Sequence, residues 1–200
     1  MGDIELRDGT LFVGREPNDL DQLALDVTSV LQDCDIDHVL VAGYVAILAG
    51  RSRSTEDIDL ILEPLTDETA EALAHELKQS GFWGSAMPLD ELSSMLSEGT
   101  NIRVARDGEV IPNVELKYPS DQFDRASLDN AITARIGDES LPIGPLELQI
   151  AYKLYLDTQK DFEDAVHLFV LFEETLSTPE LERWVQKLGV DETYERLQRA

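Results

Sequence analysis

VLVAGYVAILAGRSRSTEDIDLIL, residues 39–62, is the stretch whose reading decides the fold. Val39 to Ala42 is an apolar run that stops at Gly43, the pattern of a buried strand ending at a tight turn. Tyr44 to Leu48 is short, apolar and rich in small residues, which predicts one or two helical turns closed by Gly50. A polar loop, Arg51-Ser52-Arg53-Ser54-Thr55, leads into a second strand, Glu56 to Leu62, carrying Asp57 and Asp59 at i and i+2. Side chains two apart on a strand share a face and lie roughly 6–7 Å apart along the chain. Two convergent carboxylates suit an oxygen-seeking divalent cation that also holds substrate phosphates.

Spacing alone does not establish such a site. The chain holds 41 Asp and Glu in 200 residues, so acid pairs at i, i+2 arise by chance, as at Asp33, Asp35 and Asp37. Context separates Asp57 and Asp59 from a solvated strand face. Ile58, Leu60, Ile61 and Leu62 mark a packed strand, where an uncompensated carboxylate is costly. The glycine turn and the Arg/Ser/Thr loop just upstream supply groups that handle phosphate.

The stretch resembles the signature of the DNA polymerase β-like nucleotidyltransferase superfamily: an apolar strand, Gly followed by Gly or Ser, a gap of about a dozen residues, then Asp-h-Asp/Glu-h with h apolar. Gly43-Tyr44 and Asp57-Ile58-Asp59-Leu60 occupy those places. AGYVAILAGRSRSTEDIDL is most similar to the small bacterial and archaeal nucleotidyltransferase-like proteins related to the AbiEii toxin type. The resemblance implies Mg²⁺ (or Mn²⁺) held by Asp57 and Asp59, and an NTP as substrate. It also implies a third acid on a later neighbouring strand that completes the metal site and helps deprotonate the acceptor, and Val114-Glu115-Leu116 fits that form. Gly43 would let the backbone approach the phosphates, and Arg51, Arg53, Ser54 and Lys153 would neutralise charge on the leaving pyrophosphate. The second Gly or Ser of the pattern is Tyr44 here, whose bulk would crowd that phosphate contact.

The net charge of −25 is spread along the chain, and only five of the sixteen basic residues are lysines. It argues against a broad electrostatic grip on nucleic acid and fits a protein adapted to molar salt, where the Debye length falls to about 3 Å. One cysteine, Cys34, excludes an internal disulfide framework, and His38, His75 and His167 lack zinc-ligand spacing. The N-terminus has no basic and apolar leader pattern and no apolar run is long enough to span a bilayer, so a cytoplasmic protein is expected.

Outward from the central stretch, residues 1–17 read as an extended lead-in around Leu11-Phe12-Val13. A helix capped by Asn18 or Asp19 is expected to run to about Cys34, with Leu20, Leu23, Ala24, Val27, Val30 and Leu31 on one face. Thr66 should cap a helix over residues 67–80, ended by Gly81. Phe82 and Trp83 read as loop aromatics, followed by a short helix over 89–96. Residues 101–106 and 110–118 read as strands joined at Asp107-Gly108. Residues 123–136 are mixed, with a strand at 132–136. From Leu141 the pattern is helical, with apolar faces at Leu146, Ile150, Leu154 and Tyr155, and at Phe162, Ala165, Val166, Phe169 and Val170.

In that helical part, Lys153 and Lys160-Asp161-Phe162-Glu163-Asp164 resemble a Lys…Lys-Asp-x-x-Asp element of the AbiEii-like group. It implies a phosphate role for Lys153 or Lys160 and a structural one for Asp161. The expected architecture is therefore α+β: a nucleotidyltransferase-fold mixed sheet flanked by helices over residues 1–140, and a helical segment over 141–200 packed on it. The implied activity is transfer of a nucleotidyl group to a hydroxyl on an RNA, tRNA, protein or aminoglycoside-like acceptor, with a cognate antitoxin or toxin protein as a partner. The other class is a binding module that keeps the fold with little catalysis, which Tyr44 favours and the acid pair opposes.

Overall fold

A computed structural model describes residues 4–200. Of the expected lead-in over residues 1–17, residues 1–3 lie outside the described residues, and the rest holds β1 (Ile4–Arg7) and β2 (Thr10–Val13), which form an antiparallel hairpin. The helix α1 (Asp19–Asp33) follows, with Asn18 accepting from the backbone N–H groups of Leu20 and Asp21 while Asp21 accepts from the Asn18 N–H. That reciprocal cap satisfies donors a helix start otherwise leaves open. Its buried face includes Leu23, Ala24, Val27, Val30 and Leu31, as the helical spacing predicts.

The central stretch becomes β3 (His38–Leu40), α2 (Gly43–Leu48) and β4 (Asp57–Leu62), and β3 and β4 pair antiparallel. After the Thr66-capped α3 (Asp67–Gln79), Gly81 takes φ +80, a left-handed turn that favours glycine. Phe82 and Trp83 are not in a loop; they form β5 (Phe82–Gly84), paired with β6 (Ile102–Arg106). The Trp83 indole Nε1 donates to the Glu109 carbonyl at 2.6 Å, which gives it a structural partner. Between β5 and β6 lie a 3₁₀ turn, Leu89–Glu91, and α4 (Leu92–Ser97). The strand β7 is shorter than expected, Asn113–Lys117, because Val110 and Ile111 are exposed and unpaired with the sheet.

Two further elements escape the sequence pattern. Residues Gln122–Asp129 form α5, capped by Asp121, and β8 (Ile132–Ile136) is followed by β9 (Glu139–Ile143). The nine described strands make one mixed sheet in the order β1-β2-β8-β9-β3-β4-β7-β6-β5, so the sheet continues past residue 140. Helices α6 (Leu146–Leu156), α7 (Gln159–Phe172), α8 (Thr178–Leu188) and α9 (Asp191–Leu197) complete the chain. Tyr155 and Val170, read as apolar-face residues, are exposed. Among the described residues no helix is long and apolar enough to cross a membrane.

Alternation along β4 sets the functional face. Ile58, Leu60 and Leu62 enter the main core, which also takes the apolar residues of α1 and α3. Val39, Val41 and Ile61 form a second, small cluster on the opposite face, where Leu128 of α5 packs. Asp57 and Asp59 share that second face with Ile61, since residues two apart on a strand point the same way.

Candidate active site

β4 and β7 run parallel, with Asp57 opposite Asn113 and Asp59 opposite Glu115. Asp57, Asp59 and Glu115 thus project from one face of two adjacent strands, and the burial of Ile58 and Leu60 on the other face fixes that direction. Asp57 accepts from the Thr55 hydroxyl at 3.1 Å, and Glu115 accepts from Asn101 Nδ2 at 3.0 Å. Asp59 is the most perturbed acid. Burial first, then the charges of Asp57 and Glu115, push its carboxyl up to about 6, against the pull of Lys117 and Lys153. Among the described residues no three His, Cys, Asp or Glu side chains stand together closely enough to form a metal cage by themselves. Mg²⁺ usually binds one or two carboxylates plus substrate phosphates rather than an all-protein cage, so Asp57 and Asp59 fit its chemistry as donors.

Lys117 joins the same face, two residues beyond Glu115, and its Nζ donates to both oxygens of Asp124 at 3.1 Å. Asp124 is buried and also accepts from the Ser120 backbone N–H and hydroxyl. Nothing in the sequence pattern singled out Lys117. Its rarity, one of five lysines, was the available signal; its aim toward Asp59 depends on α5, which the pattern did not reveal. A cavity of about 50 Å³ opens beside Asp59, walled by Val41, Phe123, Gln149 and Tyr152. It has room for a water or a hydroxyl rather than a nucleotide.

At the β3–α2 turn, Ala42 has φ +59 and ψ −126, a conformation that favours glycine. The buried Gln149 side chain on α6 accepts the Ala42 N–H at 2.8 Å and holds the turn in place. Ala42→Gly should therefore raise stability by about 1 kcal/mol, the strain released exceeding the added chain entropy. Equilibrium urea unfolding checks the sign, and a loss of stability would show that the turn is not strained.

Tyr44 does not crowd this turn. Its side chain is fully buried in the core, and its hydroxyl donates to Asp21 at 2.9 Å. The space over Gly43 is taken by Arg53: a Cβ on Gly43 would collide with Arg53 Nη2. Arg53 in turn pairs with Asp164 at 3.1 Å, and its Nη1 donates to the carbonyl of the exposed Ser54. Arg51 pairs with Glu163 at 2.7 Å and reaches Asp164 with Nε at 3.4 Å. Lys153, itself buried, pairs with Asp164 at 2.9 Å and Asp161 at 3.4 Å. Three bases from the loop and α6 thus meet three acids of α7. Lys160 is exposed and takes no part in that cluster.

The sequence matches no family model, and no curated protein matches it. Solved structures do match. An antigenic nucleotidyltransferase-like protein from Paracoccidioides brasiliensis superposes with a TM-score of 0.55 at 16% identity, over 92% of this chain and 94% of that one. The antibiotic-resistance factor ANT(2'')-Ia superposes with a TM-score of 0.50 at 14% identity, over 91% of this chain and 97% of that one. The chain has a nucleotidyltransferase-like α+β fold.

Proposed function

We propose that this chain is a Mg²⁺-dependent nucleotidyltransferase that moves a nucleotidyl group from an NTP to a hydroxyl of an RNA, tRNA or protein acceptor. The observation that carries the reading is the register of β4 and β7, which sets Asp57, Asp59 and Glu115 on one sheet face, while Lys153, whose charge acts on Asp59, is drawn into a cluster with Arg51 and Arg53 by Asp164. Asp57 and Asp59 would hold the cation, which when bound supplies charge stabilisation at the transferring phosphoryl group. Glu115 lies opposite Asp59 and would accept the proton of the attacking hydroxyl. Lys117 is held by Asp124 on the same face and offsets negative charge around Asp59. The bases at the turn would meet the triphosphate and the pyrophosphate that leaves.

Label transfer tests this reading. Each α-labelled NTP is offered with Mg²⁺, total RNA and cell extract in molar KCl, chosen for the acidic surface. Label on RNA or protein, lost on removing Mg²⁺, is the expected result. Its absence from every macromolecule with folded protein and a cognate partner supplied would overturn the enzyme reading.

A second reading is a nucleotidyltransferase-fold binding module, antitoxin-like or nucleotide-sensing. It is favoured by the pairing of Arg51, Arg53 and Lys153 with Asp161, Glu163 and Asp164, which already neutralises the bases a triphosphate would need. Nucleotide binding without transfer would select it.

A further inference from the structure

We propose that Asp164 is the positioning residue of the triphosphate site: it holds Arg53 over the side-chain-free Gly43, so that Arg53 rather than the Gly43 backbone meets the phosphates. The proposal rests on the nucleotidyl-transfer reading and names the groups that serve it.

Asp164 is fully buried on α7, yet it faces cations from two other elements, Arg51 and Arg53 of the loop and Lys153 of α6. Those three are not equivalent. Arg51 has Glu163 as a second acid and Lys153 has Asp161. Among the described residues, Arg53 pairs with Asp164 alone. Asp164, its one carboxylate, and the Ser54 carbonyl therefore fix where the Arg53 guanidinium lies, and a planar fork so held keeps its remaining N–H groups in a set direction. Gly43 completes the seat, because any side chain there would displace Nη2. The seat is not internally satisfied. The buried Nε of Arg53 finds no hydrogen-bond acceptor, while that of Arg51 has Asp164 Oδ1 at 3.4 Å as its ion-pair partner. A buried donor left open beside a turn is what a phosphate oxygen would satisfy, through charge-assisted bonds stronger than neutral ones.

The competing view, that Asp164 merely occupies the cations in place of phosphate, makes the opposite forecast. Removing its charge would then free Arg53 and tighten anion binding. Positioning requires binding to weaken although a negative charge has been deleted from the site. The sign alone separates the two.

The experiment is calorimetric titration of the full chain with inorganic tripolyphosphate and with ATP, Mg²⁺ present. Asp164→Asn keeps the side-chain shape and is expected to weaken both ligands about tenfold or more. Unchanged or tighter binding by a folded Asp164→Asn protein overturns the proposal. Near-ultraviolet circular dichroism reports whether the variant folds. A second route leaves Asp164 untouched: Gly43→Ala should weaken tripolyphosphate binding in the wild type and cost nothing more once Arg53→Ala is in place. An equal loss from Gly43→Ala in both backgrounds would assign the phosphate contact to the backbone and overturn the proposal. Wild-type protein that binds neither ligand would sink the nucleotidyl-transfer reading itself, which keeps the two failures apart.

Discussion

Asp59→Asn should lower nucleotidyl transfer by about a thousandfold while making the metal-free protein more stable near neutral pH. The two halves have one cause. Asp59 is largely buried beside Asp57 and Glu115, and its carboxyl is raised from its ordinary 3.8 to about 6. The folded state holds that proton more tightly than the unfolded state. Its contribution to stability is therefore complete in acid, below about pH 4, and is lost as pH rises through about 6. Above that, the fold carries an ionised acid that its neighbours repel. A shift of this size corresponds to about 3 kcal/mol, and partial solvent access reduces it to on the order of 2 kcal/mol. Asparagine is neutral throughout, so the variant should match wild type in acid and exceed it at neutral pH. For a chain of this length the gain is roughly 4–8 °C in Tm. Urea unfolding at both pH values, without divalent cation, measures it. Equal stabilities at neutral pH would show that burying the ionised Asp59 beside the other acids costs the fold nothing. Added Mg²⁺ should narrow the difference, because an ion that binds only the folded wild type stabilises it by mass action.

Asp21→Ala should destabilise the protein by about 3–5 kcal/mol, without touching the acid face of the sheet. Asp21 is fully buried at the first turn of α1. It accepts from Arg15, from the Asn18 backbone N–H at 2.8 Å and from the Tyr44 hydroxyl at 2.9 Å. Truncation strands a buried hydroxyl and a helix-cap N–H together, and each orphaned group costs about 1–3 kcal/mol. Tyr44→Phe removes one donor and leaves the others on Asp21, so its cost should be about 1 kcal/mol. Chemical denaturation of both variants gives the comparison. A Tyr44→Phe loss as large as that of Asp21→Ala would show that the hydroxyl, not the cap and the arginine, carries the cluster.

These two acids show how differently the chain discloses its parts. Asp57 and Asp59 could be read directly, because period-two alternation with Ile58 and Leu60 fixes their common face whatever surrounds the strand. The cap at Thr66 and a helix start at Asn18 or Asp19 were equally local, and the structure assigns the latter cap to Asn18. Tyr44 was not. In the sequence it takes the place of a small residue beside the phosphates, and only the packing of α1 against α2 turns its ring into the core, where Asp21 meets it. The short elements were hidden for a related reason. β1, β2, β5 and β9 exist because neighbouring strands supply their partners.

By itself, then, the sequence determined the central strand–turn–helix–strand unit and the common face of its acid pair, since these follow from nearest-neighbour chemistry and periodicity, while the α+β class came with the family resemblance. Tertiary structure alone decided that Glu115 stands opposite Asp59, that Lys117 is aimed by Asp124, and that Asp164 gathers Arg51, Arg53 and Lys153. Each of those pairings joins separate elements of the fold, and no local pattern encodes which element the fold sets beside which. The two ion-pair arrangements form because a buried charge must find its counter-charge, whereas Glu115 and Asp59 are brought together by the parallel register of β4 and β7.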